Sequence, residues 1–160
     1  QRQMCIRDRD TMILMADGTQ KKISDIKIGE QVSTETEPSS VVNIYKGIES
    51  ELVHLETENG HILRMTNSHP VKTTRGFVKA SGLTAADTII TVDGKSKVKY
   101  LYMEQYDSEV YNLELKPEGV IICNGIIAGD FKMQNEMVEK PYTVSQPTSL
   151  QREFRSLFGH

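Results

Sequence analysis

The amino-acid sequence predicts an all-β domain, and three features of it support that class. Short apolar runs rich in Val, Ile, Leu and Tyr recur along the chain up to residue 130. Turn-forming pairs and triplets separate them, including Asp17-Gly18, Asp93-Gly94 and Pro117-Glu118-Gly119. No stretch in this part sustains the apolar stripe of a long helix. Strands that alternate with tight turns are therefore expected throughout.

The strand-like runs can be read off in chain order. They are TMILM, VVNIY, ELVHLE, HILRMT, GFVKA, TIITV, VKYLYM, VYNLEL and GVIICNGIIAG, at residues 11–15, 41–45, 51–56, 61–66, 76–80, 88–92, 98–103, 110–115 and 119–129. Two other segments, ISDIKIGE at 23–30 and SGLTAAD at 81–87, are long enough only for a single helical or 3₁₀ turn.

The composition changes after Asp130, where prolines and polar residues replace the alternating strands. We place a domain boundary there and expect residues 131–160 to be a C-terminal extension that begins the next region of a host protein. Thr148 suits a helix N-cap, and the segment after it predicts a short helical tail. Its apolar face consists of Leu150, Phe154, Leu157 and Phe158. Such a helix would pack against protein rather than anchor the chain in a membrane.

Length, charge and cysteine content bound the possible functions. With 160 residues, 38% of them hydrophobic, the chain suffices for one domain with its own core. A net charge of -3, with no basic run and no tryptophan, argues against a nucleic-acid or anionic-membrane partner. No apolar window is long enough to span a bilayer. Cys5 and Cys123 form no C-x-x-C pair, so a reducing compartment is indicated. We expect a cytoplasmic monomer.

Three stretches in order resemble the hedgehog/intein, or Hint, self-processing domains. The first ends in the pattern I-x-x-I-x-x-G-[DE]-x-V, the second holds T-x-x-H-P followed by G-[WF]-x-x-A-x-x-L, and the third closes with N-G-[IL]-[LVI]. Here they read DTMILMADGTQKKISDIKIGEQV (10–32), TNSHPVKTTRGFVKASGLTAADTI (66–89) and VYNLELKPEGVIICNGIIAGD (110–130). The match therefore covers residues 10–130.

This resemblance implies a disk of two intertwined, pseudo-symmetric halves, with both ends of the domain at one central cleft. Residues 93–109 leave room for a hairpin and little else, so no homing endonuclease is inserted. The domain would be intein-like and minimal in form.

The resemblance also implies an acyl shift. In this family a Cys or Ser side chain attacks the carbonyl of its own preceding peptide bond, which converts the amide into a thioester or ester. By position Cys5 is the nucleophile, since it fits C-x-x-x-x-D-T. His69 would protonate the leaving nitrogen, and Thr66 would position the scissile group. The alternative for His69 is a hydrogen-bonded turn residue before a proline.

The first nine residues have no family character. Back-translation of QRQMCIRDR gives a transposase adapter of the kind used in shotgun libraries, so residues 1–9 are expected to be an adapter artefact or non-native leader, from a metagenomic source. Arg9 also stands where a glycine usually precedes the aspartate. In that case Cys5 matches by accident and the native nucleophile is missing.

The other end departs from the splicing pattern. Splicing inteins finish with His-Asn followed by Cys, Ser or Thr, whereas this chain has Gly129, Asp130 and Phe131. Asp130 occupies the position of the cyclising Asn, but an ionised carboxylate cannot cyclise as an amide does. Asn112 stands where many members carry an aspartate. Full splicing is not expected, and Cys123 is interpreted as a buried small hydrophobic residue.

Three hypotheses follow, and each assigns a different role to the chain. The first is single-turnover cleavage at the N-terminal junction by an N–S or N–O acyl shift, with the flanking segments of the host protein as the only partners. The second is a degenerate Hint fold that serves as a structural or interaction module. The third is an unrelated β-rich binding module. None of them calls for a metal or a cofactor.

Overall fold

The computed structural model describes residues 7–129, which contain twelve strands and two 3₁₀ turns. The strands are β1 (Arg7–Asp8), β2 (Met12–Leu14), β3 (Gln20–Lys22), β4 (Gln31–Val32), β5 (Ser39–Thr57), β6 (Ile62–Met65), β7 (Pro70–Thr73), β8 (Gly76–Lys79), β9 (Thr88–Thr91), β10 (Gly94–Lys116), β11 (Ile121–Cys123) and β12 (Ile126–Ala128). All of them join one antiparallel sheet system. The predicted all-β class is confirmed.

The chain repeats one pattern of elements in each half. A hairpin, a 3₁₀ turn, a short strand and a long strand follow one another twice, first as β2 to β5 and then as β7 to β10. The 3₁₀ turns, Ile23–Asp25 and Ala80–Gly82, lie where single turns were predicted, the second beginning one residue earlier. In each the first residue is buried and anchors the turn to the core. The repeat is the pseudo-symmetry that the resemblance implies.

The two long strands form a ribbon that the sequence did not predict. β5 has 19 residues and β10 has 23, and they pair antiparallel from Ser40 with Lys116 to Thr57 with Val98. Each was predicted as two separate strands, because polar residues interrupt the apolar pattern in its middle. These residues lie where the ribbon is exposed to solvent, so polar side chains are compatible with strand structure there. Residues 93–109 thus belong mostly to β10 and do not form a separate hairpin.

The core lies between the two halves and is formed by side chains from both. Its largest fully buried members are Ile13, Ile23, Leu55, Leu63, Met65, Ile89, Leu113 and Ile121. β10 takes part in both halves, pairing with β9 through its first residues and with β1 through its last third. The two halves are therefore intertwined.

The two ends of the described chain lie close together. β1 pairs with β6 through Arg7 and Met65, and with β10 through Arg7 and Tyr111. Gly129 donates its backbone N–H to Pro70 O at 3.2 Å and accepts a bond from Arg7 Nη2 at 2.6 Å. Both ends thus lie at the turn between β6 and β7. The predicted helical tail, Cys5 and Asp130 lie outside the described residues.

The hairpin of β11 and β12 turns at Asn124 and Gly125, which have φ values of 52° and 84°. The Asn124 side chain accepts a bond from Met12 N–H and donates one to Ile62 O, both at 2.7 Å. A Cβ on Gly125 would lie 2.3 Å from Nδ1 of His61. Only glycine fits this position without strain.

Replacing Gly125 by alanine is expected to lower the free energy of unfolding by about 1–2 kcal/mol, because the left-handed backbone and the His61 ring both oppose a Cβ. Urea denaturation measures the change. Gly18→Ala is the matched control, since Gly18 has φ of 89° with open space around it. Equal losses in the two variants would rule out a contribution from crowding against His61.

Candidate functional site

The T-x-x-H turn connects β6 to β7 and holds its side chains toward the interior. His69 N–H bonds to Thr66 O at 3.2 Å, which closes the turn, and Pro70 then starts β7 in an extended conformation. The second 3₁₀ turn, Ala80–Gly82, holds the backbone of the T-x-x-H turn in place. Ala80 N–H bonds to His69 O and Ser81 N–H bonds to Asn67 O, both at 2.8 Å. Its backbone is therefore held rigidly, with Thr66 and His69 both buried.

The His69 ring has an unusual environment. It is fully buried, and neither ring nitrogen has a hydrogen-bond partner among residues 7–129. Burial in the interior, and secondly the positive charge of Arg7, hold the pKa of His69 well below its usual value. The imidazole is thus neutral at neutral pH, with one N–H to donate and one lone pair to accept a proton. Among the described residues, only the backbone of His69 takes part in the hydrogen bonds of the turn, and its ring does not.

Arg7 is fully buried in β1, which pairs with β6 on one side and with β10 on the other. Its fully buried guanidinium donates from Nη1 to Asn112 Oδ1 at 2.8 Å and from Nη2 to the Gly129 carbonyl at 2.6 Å. It thereby links β10 to the C-terminal end of the described chain. Sequence reasoning assigned Arg7 no role, because residues 1–9 were interpreted as adapter. No local signal could have found it, since its contacts depend on how β1 pairs.

Cys123, the last residue of β11, also lies close to Arg7. The thiol is fully buried, and burial raises its pKa, although the Arg7 guanidinium opposes that shift. A thiol that stays protonated at neutral pH is a weak nucleophile. The interpretation of Cys123 as a buried small side chain therefore agrees with the structure.

The structure brings two of the four predicted site residues together. Thr66 and His69 share one turn, and Arg7 and Gly129, where the described chain begins and ends, meet against it. Cys5 and Asp130 lie just beyond these ends in sequence, outside the described residues.

No group of three or more His, Cys, Asp or Glu side chains suited to a metal ion occurs within residues 7–129. The same residues include no helix with the length and hydrophobicity that a membrane span requires.

Comparison with known proteins gives a family and a fold. The family model described as Pretoxin HINT domain matches residues 12–120. No curated protein matches the chain significantly. Among solved structures, the bacterial intein-like domain from Clostridium thermocellum is similar at 26% identity and a TM-score of 0.71, over 80% of this chain and 100% of that one.

Two inteins have the same fold at lower identity. The gp41-1 intein is 21% identical with a TM-score of 0.70, over 80% of this chain and 100% of its own. A DnaB intein from Synechocystis sp. PCC 6803 is 16% identical with a TM-score of 0.70, over 79% of this chain and 99% of its own. The doubled strand pattern, the meeting of the chain ends at the T-x-x-H turn and the family match agree, and the chain belongs to the pretoxin Hint family.

Proposed function

We propose that this domain cleaves the peptide bond at its own N-terminal junction by an acyl shift and so releases the segment upstream. The observation that carries the proposal is His69: a buried, neutral imidazole without a partner for either nitrogen among the described residues, at the place where the chain ends meet. A buried polar group left unpaired costs about 1–3 kcal/mol, so such a ring needs a reason to be there. A scissile peptide bond beside it would supply both a donor and an acceptor.

The neutral state of His69 refines the expected mechanism. The proposal takes Cys5 as the nucleophile by its position and so sets aside the expectation that residues 1–9 are adapter. The lone pair of the neutral imidazole first accepts the proton of the Cys5 thiol, and the thiolate then attacks the carbonyl carbon of residue 4. As the C–N bond breaks, the imidazolium returns that proton to the nitrogen, which becomes the α-amino group of Cys5. The product is a thioester between the residue 4 carbonyl and Cys5 Sγ. Every proton in this step comes from the thiol.

Thr66 is the second residue of the site. It precedes His69 in the same turn, directly after β6, and is buried there. In the proposed reaction its hydroxyl orients the scissile carbonyl, so that the attack trajectory is fixed before the bond changes. Water or an external thiol then attacks the thioester and frees the upstream segment.

Cleavage is favoured over splicing by the C-terminal end of the domain. Gly129 has no side chain at the position where splicing inteins carry histidine, and its carbonyl is bonded to Arg7 instead. Phe131 offers no acceptor nucleophile. The proposal is therefore a single-turnover reaction with the flanking segments of the host protein as its only partners. The pretoxin name of the family fits a precursor from which a segment is released.

The test is a fusion of a folded reporter domain upstream of the full chain. With dithiothreitol or hydroxylamine, the reporter is expected to be released as a free acid, thioester or hydroxamate, identified by intact mass. Cys5→Ala should abolish release. A second fusion carries Arg9→Gly, which restores the glycine of the opening motif. If both fusions are folded by thermal unfolding yet stay intact with thiol, the domain is an inert Hint scaffold and the proposal fails.

A further inference from the structure

Arg64, in β6, contacts carboxylates from two other strands. Its Nε donates to Asp8 Oδ2 in β1 at 2.6 Å, and its Nη2 lies 2.5 Å from the same oxygen. Its Nη1 donates to Glu104 Oε2 in β10 at 3.0 Å. The Asp8 side chain is 6% exposed and that of Glu104 is 27% exposed. The pair of Arg64 and Asp8, which we call the β1 clamp, is therefore the more buried of the two links.

We propose that Arg64 is a positioning residue for the acyl shift. By holding Asp8 it fixes β1, and with β1 the N-terminal junction, against the strand that carries the T-x-x-H turn. The inference rests on the proposed function and adds to it a residue to which the sequence assigned no role. Arg64 does not touch the reacting atoms and acts only through β1.

β1 needs side-chain anchors because its backbone pairing is short. It has two residues and forms three backbone pairings, with Met65 of β6 and with Val110 and Tyr111 of β10. Even a complete two-stranded hairpin is only marginally stable in water, so these pairings do not suffice to hold the strand. The contacts of the Arg7 and Asp8 side chains must supply the rest.

The Asp8 carboxylate is an effective anchor because it is buried and fully bonded. Its Oδ1 accepts a bond from the Thr11 hydroxyl at 2.8 Å, while Oδ2 receives Arg64. A buried carboxylate that loses its cation is strongly unfavourable. Asp8 is therefore stable in this position only while the Arg64 guanidinium lies beside it.

The strand β6 carries both the clamp and the catalytic turn. Arg64 is followed by Met65, which pairs with Arg7, and then by Thr66, the first residue of the T-x-x-H turn. Because one residue separates Arg64 from Thr66, a shift of β1 relative to Arg64 is also a shift relative to the turn. A misplacement of about 1 Å at a reacting group can slow a reaction about a hundredfold. The clamp is thus suited to set the distance between the junction and His69.

The shape of the arginine side chain suits this role. Two of its nitrogens converge on one oxygen of Asp8, and its Cζ lies 5.7 Å from the centroid of the Tyr106 ring. The Tyr106 hydroxyl accepts a bond from the N–H of Arg9, the residue after β1, at 3.1 Å. A lysine has a single charged nitrogen and no planar group to lie over the ring. Arg64→Lys should therefore retain only part of the function.

The reporter fusion with substitutions in the clamp tests the proposal. Arg64→Gln and Asp8→Asn are each expected to slow release about 10- to 100-fold, and Arg64→Lys less than Arg64→Gln. The double variant should be no slower than the slower single one, because both substitutions break the same link. Glu104→Gln is the matched control. Like Asp8→Asn it removes one negative charge beside Arg64, but it leaves β1 attached, so release should be unchanged.

A folded Arg64→Gln fusion that releases the reporter at the unsubstituted rate would overturn the proposal. So would a Glu104→Gln fusion as slow as Asp8→Asn, since the rate would then follow the charge around Arg64 and not the attachment of β1. Effects that multiply in the double variant would show that Arg64 and Asp8 do not act through one link, and would reject the clamp as well.

A second readout does not depend on cleavage. In chains with Cys5→Ala, amide hydrogen exchange is measured at Thr11, whose N–H donates to Asp8 O at 3.2 Å and so reports on the attachment of β1. This amide is expected to exchange about tenfold faster or more in Arg64→Gln, with no change in Glu104→Gln.

The Val92 amide is the reference in the same chains. Its N–H donates to Gly125 O at 2.9 Å, between the turns of the β9–β10 and β11–β12 hairpins, and should keep its protection in every variant. If no fusion is ever cleaved, the proposed function fails, and exchange at Thr11 still decides whether Arg64 holds β1. Exchange at Thr11 that is unchanged in Arg64→Gln, or that rises together with exchange at Val92, rejects the clamp.

Discussion

Replacing His69 by glutamine is expected to slow release of the upstream reporter by about 10²–10⁴-fold, the usual contribution of a positioned acid–base group. Glutamine fills much of the same space and can hydrogen-bond to the peptide, but it cannot accept the thiol proton and return it to the amide nitrogen. The measurement is the single-turnover release rate at saturating dithiothreitol, followed by intact mass.

His61→Gln serves as the control for this substitution. The His61 ring bonds to Asp93 Oδ2 at 2.8 Å, in the turn region at the other end of the β5–β6 hairpin, so its loss should leave the release rate unchanged. Thermal unfolding of both variants separates lost chemistry from lost folding. A His69→Gln fusion that is folded and releases the reporter at the unsubstituted rate would remove His69 from the mechanism.

The pH profile of the same reaction distinguishes two uses of the imidazole. If the thiol proton is shuttled by neutral His69, the rate should not decline between pH 6 and pH 8, because the low pKa keeps the ring neutral throughout. If instead an imidazolium must bring a proton from solvent, the rate falls tenfold per pH unit above the pKa of His69. A decline of that size in this window would contradict the shuttle.

The sequence predicted the elements of the fold better than their connections. Strand alternation and turn residues such as Asp93-Gly94 are local signals, and the structure has a turn where they predict one. The β5–β10 ribbon was divided into pieces because local apolar pattern cannot distinguish a turn from a solvent-exposed stretch of a long strand. An example lies between Gln105 and Ser108. There the pairing of β10 with β5 shifts register and Asp107 has φ of 51°, yet β10 continues as one strand.

The candidate site likewise has residues that local sequence predicts and residues that only the tertiary structure reveals. Thr66 and His69 could be found by spacing, since one short turn carries both. Arg7 could not, because it reaches the turn only through the pairing of β1 with β6 and β10. Residue spacing gives no such tertiary register. The low pKa of His69 was equally hidden, as it arises from burial and from Arg7.

Mild acid is expected to destabilise the folded domain through His69. The pKa of this ring is about 6.5 in an unfolded chain and is held well below that value in the folded one. Below pH 6.5 the unfolded chain therefore binds a proton that the folded chain does not. The free energy of unfolding should fall by about 1.4 kcal/mol per pH unit, or about 2 kcal/mol between pH 6.5 and 5.

Urea denaturation of the full chain at several pH values in this window measures the slope of the free energy of unfolding against pH. This slope, rather than the absolute stability, tests the prediction. His69→Gln should flatten it, while His54→Gln, which alters a ring bonded to Glu104 at 2.8 Å, is the matched control. The window ends at pH 5 because Glu30, Asp87 and Glu104 have lowered pKa values and contribute their own loss at lower pH. If His69→Gln has the same slope as the unsubstituted chain, His69 does not cause it. The ring then takes up its proton in the folded state as well, and both its neutrality and the proposed proton shuttle would be rejected.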